Sequence, residues 1–234
     1  MSAQARRAPS ARAAFGAVLR KELRTEVRTL GSVPAMCLFS VATFVLFHFG
    51  LDRDSVTGDE ASGVLWVTLL LAAVLGVNRL FVADADEGGF DGYLLSPAAS
   101  GALLAAKVAT LFLYLVAVEL VTVAAFALLL LGAPAGRALP ALLGVLLLAD
   151  AGIAVVGTLV AALAVRTQAR ELLGPLLALP LFVPIVLAAS RLTAPLFAAG
   201  RMGTLPPRWL VSLALYDLLF AALAYAVFDF LLED

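Results

Sequence analysis

Three carboxylic acids stand where a polar side chain is expensive. Glu119, Asp150 and Asp217 each interrupt a long apolar stretch. Ionisable groups inside a bilayer are rare and usually face a bundle interior or a water-filled cavity. Three readings stay open for them: structural pairing or a hydrogen-bonded, protonated acid; a part in a transport path; or tolerance beside lipid. Glu119 and Asp217 fall in the outer half of their stretches, where they can approach each other or Arg191. Other chemistry is missing from the chain. No G-x-x-x-x-G-K-[ST] loop occurs, so nucleotide binding is not expected of this chain. One histidine cannot build an H-E-x-x-H zinc site. The lone Cys37, in an apolar run, excludes an intramolecular disulfide and reads as a packing residue. No nucleophile–base pair is recognisable, so the chain does not read as an enzyme.

The elements that hold these acids follow from composition. Of 234 residues, 63% are hydrophobic and 14% charged, against roughly 45–50% and 25% in soluble domains. A water-soluble core of this length cannot hide that excess; lipid can. A helix needs about 20 mostly apolar residues to cross a bilayer. Six stretches qualify: Val33–Gly50, Ser62–Phe81, Ala102–Leu131, Ala138–Val165, Leu172–Ser190 and Trp209–Leu232. The third and fourth exceed the minimum, which implies tilt or extension. Pro175, Pro180 and Pro184 each remove a helix hydrogen bond, so the fifth is expected to be bent or broken, for packing or for gating. The first run is read as a retained span, because no small-residue cleavage pattern follows it. The expectation is one all-α membrane domain over 1–234: a disordered tail at 1–11, an interfacial helix at 12–30 and six spans within 33–232.

Lys and Arg set orientation. Arg6, Arg7, Arg12, Arg20, Lys21, Arg24 and Arg28 precede the first span, which places the N-terminus in the cytoplasm, and an even number of spans brings the C-terminus back. Arg79, Lys107, Arg166 and Arg170 join that side, eleven basic residues against five (Arg53, Arg137, Arg191, Arg201 and Arg208). A net charge of −1 gives no sign of a nucleic-acid partner.

Two polar segments stand out. In Phe15–Leu30, Phe15, Leu19, Leu23, Val27 and Leu30 share one helical arc, with Arg20, Arg24 and Arg28 opposite, the pattern of a helix lying among anionic headgroups. Glu22 and Glu26 intrude on the apolar arc. Carboxylates facing lipid are costly, so the arc faces protein near them, unless the helix rolls to wet both. Between spans two and three, Gly88 and Gly89 allow a sharp turn, Phe90, Tyr93 and Leu94 form a short apolar face, and Pro97 ends it. With Asp86, Glu87 and Asp91 nearby, this reads as a short helix docking a partner, or as a solvated loop.

The order Leu80-Phe81, Asp86-Glu87-Gly88, Asp91 and Leu94-Leu95-Ser96-Pro97, with Lys107 ten residues on, resembles the cytochrome c maturation protein B family. So do Leu19-Arg20-Lys21-Glu22-Leu23 with Glu26, Gly157-Thr158-Leu159, Arg170-Glu171-Leu172-Leu173 before Pro175, Pro180 and Pro184, Tyr216-Asp217-Leu218, and the tail Phe228-Asp229-Phe230-Leu231-Leu232-Glu233-Asp234. The match departs at Asp91, where the family usually has Glu, and at Val82–Ala83, which carry no charge.

The resemblance implies the permease subunit of a heme-exporting ABC transporter in the bacterial inner membrane. It implies a cytoplasmic ATPase partner that uses the ATP, a coupling helix at Asp86, Glu87, Gly88, Phe90, Asp91, Tyr93, Leu94 and Pro97, and company with other cytochrome c maturation proteins. Heme would be substrate, not a resident cofactor. A homodimer is expected, since six spans make half a pathway in this class and two-fold dimers are the commonest assembly. His48, beside Phe47 and Phe49, reads either as a heme contact, because neutral imidazole ligates heme iron, or as a plain boundary residue. Two other functions stay open: a permease for another lipophilic substrate, and a scaffold coupling ATP hydrolysis to release of a heme chaperone.

Overall fold

The computed structural model describes residues 10–51, 55–80, 100–131, 138–165, 170–198 and 203–233. Their regular secondary structure is entirely helical: α1 (Ala11–Thr29), α2 (Val33–Gly50), α3 (Gly58–Arg79), α4 (Ser100–Phe126), α5 (Leu139–Val165), α6 (Arg170–Thr193) and α7 (Pro207–Glu233). A π-helical turn, Ala127–Leu131, extends α4, and a 3-10 turn, Ala194–Phe197, extends α6. α2 to α7 are long and apolar enough to cross a membrane, as the composition requires. Their ends lie within a few residues of the expected ones. α3 starts at Gly58 rather than Ser62, because Asp59 and Glu60 suit a first helical turn, and the fifth span runs on through its 3-10 turn to Phe197 rather than ending at Ser190.

α3 is the most enclosed span, with 61% of its apolar window buried, against 17% for α2 and 11% for α7. It packs on α2 and α6; α6 packs on α5, α5 on α4, and α4 on α2, which closes a ring. α7 lies against α5 and α6. Leu210, Val211, Leu215, Leu218 and Leu219 on α7 are exposed, a surface that suits hydrocarbon and not water.

α6 is one continuous helix through Pro175, Pro180 and Pro184; the expected break does not occur. Neighbours hold it instead. Tyr216 on α7 donates its hydroxyl to the Leu181 carbonyl at 2.8 Å, in the turn before Pro184. At its far end, Thr193 Oγ1 accepts the indole N–H of Trp66 at 2.8 Å and lies 2.9 Å from Ser62 Oγ, which donates to the Ser190 carbonyl at 2.7 Å. These groups tie α3 to α6. Thr193→Val keeps the shape but strands a fully buried indole N–H, which costs about 1–3 kcal/mol. The unfolding midpoint of the purified protein is expected to fall accordingly; an unchanged midpoint would mean the cluster does not hold the two helices together.

Candidate functional site

α1 begins at Ser10, whose hydroxyl accepts the Ala13 N–H at 3.3 Å. It ends at Leu30, in left-handed backbone at φ 47°. That reversal sends the chain straight into α2. Glu26 then serves a second helix: its carboxylate accepts the backbone N–H groups of Ser32 at 2.8 Å and Val33 at 2.7 Å. An anion at a helix start satisfies orphan donors and meets the positive end of the dipole. Arg79, at the end of α3, donates to the Gly31 carbonyl at 2.8 Å in the same reversal.

Glu22, one turn earlier, faces the bundle. Its Oε1 accepts from Lys107 Nζ at 3.0 Å, and the ammonium, fully buried on α4, also donates to the Leu80 carbonyl at 3.1 Å. The Tyr114 hydroxyl donates to the Glu22 carbonyl at 3.5 Å. Arg79 binds backbone instead, and Lys107 takes the carboxylate. The reason is reach: Lys107 sits about two turns inside α4, beside the face α1 covers, while Arg79 ends α3 beneath the α1–α2 reversal. The sequence held a signal for this pair, two opposite charges each on an otherwise apolar surface. Val27 and Leu30, by contrast, point outward beside Arg28, so the apolar arc of α1 is shared between protein and surroundings.

Lys107 therefore joins α1, α3 and α4 at Leu80, the last described residue before the 81–99 segment. The segment carrying Asp86, Glu87, Gly88, Phe90, Asp91, Tyr93, Leu94 and Pro97 lies outside the described residues.

The acids of the membrane interior form a second group. A rise of 1.5 Å per residue puts Glu119, Asp150 and Asp217 about 18, 17 and 15 Å from the α1-distal ends of their helices, which is one level. They do not converge on Arg191, which pairs with Asp59 at 3.5 Å. Glu119 and Asp150 meet across α4 and α5, within hydrogen-bond reach, and both are buried. Asp217 reaches α5 from the other side. Its carboxyl lies against Gly152 so closely that a Cβ there would collide with it. A carboxyl on α7 can thus touch the α5 backbone only because residue 152 has no side chain.

His48 sits at the α1-distal end of α2. Its Nδ1 is 2.7 Å from the Leu129 carbonyl in the π-helical turn. A carbonyl only accepts, so Nδ1 carries the hydrogen, and in the neutral ring the lone pair is then on Nε2. The exposed Phe49 ring meets the imidazole edge-on at 5.1 Å.

Six helices long and apolar enough to cross a membrane, with α1 pinned beside the exit of the second, define a multi-pass membrane protein. The comparisons then give the family. The family model described as CcmB protein matches residues 13–230, and the chain belongs to that family. It is similar to Heme exporter protein B of Pseudomonas aeruginosa, 32% identical over 214 residues, covering 91% of this chain and 94% of the relative. The corresponding protein of Rhodobacter capsulatus is 33% identical over 180 residues, covering 75% and 80%. That of Paracoccus denitrificans is 32% identical over 209 residues, covering 89% and 93%.

Proposed function

We propose that this chain is the membrane permease subunit of a heme export system serving c-type cytochrome biogenesis, driven by a separate cytoplasmic ATPase. Family membership and relatives named as heme exporters support the cargo and the membrane role. The Glu22–Lys107–Leu80 junction carries the mechanism. A coupling helix at 84–97 would receive the ATPase's movement. The chain leaves α3 at Leu80, whose carbonyl is held by Lys107 of α4, which in turn holds Glu22 of α1. A push on that segment is then delivered at once to α3, α4 and the interfacial helix, and through Glu26 to the start of α2.

This reading puts α1 and both termini on the cytoplasmic side of the bacterial inner membrane, in accord with the basic residues of α1. Val27 and Leu30 then dip into lipid while Arg20, Arg24 and Arg28 lie at the headgroups. Two copies would complete the pathway. The chain itself has no role as an enzyme. His48, at the outer surface, is the residue offered as a heme contact, because Nδ1 is taken by the Leu129 carbonyl, which leaves Nε2 as the ligating nitrogen of the neutral ring, and Phe49 adds an exposed ring beside it. No observation favours another cargo or a purely scaffolding role.

Deletion of the gene tests the function. Covalent c-type cytochromes are expected to disappear while b-type cytochromes persist, as read by heme staining of membrane proteins. Normal c-type levels in a strain without a second copy would refute the assignment.

A further inference from the structure

The Glu119–Asp150 contact makes a chemical demand. An ionised carboxylate only accepts hydrogen bonds. Two carboxyl groups within bonding reach therefore need a positive charge between them, and inside a membrane the repulsion of two bare carboxylates is weakly screened. A third polar group lies on the same face of α4. Thr122, one turn beyond Glu119 on the same face of α4, is fully buried, and its hydroxyl has no hydrogen-bond partner among the described residues. Thr43, Thr68 and Thr110, on spanning helices too, donate to the carbonyl four residues back; Thr122 does not. Glu119 Oε1 and Asp150 Oδ2 are likewise without a partner among the described residues, in side chains 5% and 3% exposed.

No cationic side chain of the described residues answers this charge. Lys107 lies about 18 Å away along α4 at 1.5 Å per residue and is engaged with Glu22. Of the other titratable groups packed around α4, Glu22 and Tyr225 lie at its α1 end, by Lys107 and Gly101; Asp217 lies across α5 at Gly152, and His48 is bonded to Leu129 some three turns further out. α3 and α1 bring no titratable side chain to this level among the described residues. We propose that Glu119, Thr122 and Asp150 form an intramembrane site for a monovalent cation, either a proton or a sodium ion. Divalent ions do not suit it: calcium takes roughly six to eight oxygens and magnesium keeps several waters, which this apolar surround does not offer.

Glu119 also lines a groove of about 600 Å³ between α4 and α5, walled by Leu120, Val123, Leu142, Leu143 and Leu147. Leu120, Leu143 and Leu147 are exposed at the bundle surface, so the groove faces lipid. A lipid-soluble carbodiimide can enter it. Dicyclohexylcarbodiimide adds the O–H of a carboxylic acid across one N=C bond, and an O-to-N acyl shift leaves a stable N-acylurea with no atom lost. It does not react in this way with a carboxylate bound to sodium.

The test uses the full chain in phospholipid nanodiscs, with adducts located by peptide mass analysis. Glu119 should be modified, more slowly as pH rises, and Glu119→Gln should remove the adduct. Slowing by sodium chloride but not by potassium chloride at fixed pH assigns the site to sodium; equal behaviour in the two salts assigns it to the proton. A second readout does not depend on reagent access. An ion that binds only the folded state raises its melting temperature, so the response of Tm to pH or sodium should shrink in Asp150→Asn and in Glu119→Gln. No adduct at Glu119, together with the same Tm response in wild type and both variants, overturns the site.

Discussion

Glu22→Ala is expected to destabilise the folded protein by about 3 kcal/mol or more, because removing one member of a buried ion pair costs roughly 3–5 kcal/mol. Lys107 is fully buried and Glu22 is only 13% exposed, so water cannot replace the lost carboxylate at the ammonium. α1 should also loosen from α4, seen as faster proteolysis between α1 and α2. A paired substitution separates stability from function. Glu22→Leu with Lys107→Met replaces the ion pair by apolar contacts, which often restores or exceeds the original stability. If the junction transmits movement, this double variant should melt near the wild-type temperature yet lose ATP-driven output when assembled with its partner. Full activity in a stable double variant would show that the pair is structural only.

Phe90→Ala with Tyr93→Ala is expected to uncouple the ATPase while the membrane domain stays folded. Both residues belong to the 81–99 segment and rest on its sequence pattern, Phe90, Tyr93 and Leu94 at i, i+3 and i+4. Truncating a buried aromatic anchor commonly costs about 2 kcal/mol or more, and two anchors in one short helix leave little to hold a groove. The acids Asp86, Glu87 and Asp91 would affect the rate and register of docking more than its strength. The measurement is co-purification with the ATPase and its hydrolysis rate, alongside the melting temperature of this chain alone. Retained binding with undiminished hydrolysis would remove the segment from the coupling path.

The number of spans and the helix that precedes them were legible in the residues alone, because bilayer thickness converts apolar length directly into helices. The ends of α2 matched because the chain turns polar or breaks abruptly there. Of the bent or broken helix that the prolines predicted, the break is absent for a physical reason. Three missing hydrogen bonds are a local loss, and packing against α5 and α7, including the Tyr216 bond to Leu181, supports α6 without a break.

The acids show the same division most clearly. Sequence marked Glu22, Glu26, Glu119, Asp150 and Asp217 as misplaced in apolar surroundings, since the cost of a charge in lipid depends only on residue type and depth. It could not pair them. Residues 22 and 107 lie on different helices, as do 119 and 150, and hydropathy carries no information on the rotation of one helix against another. That rotation is decided by close packing, where Gly152 admits the Asp217 carboxyl and Gly157 admits Val77 and Leu111. Sequence by itself determined which groups must find partners; only the tertiary structure decided which partners they find.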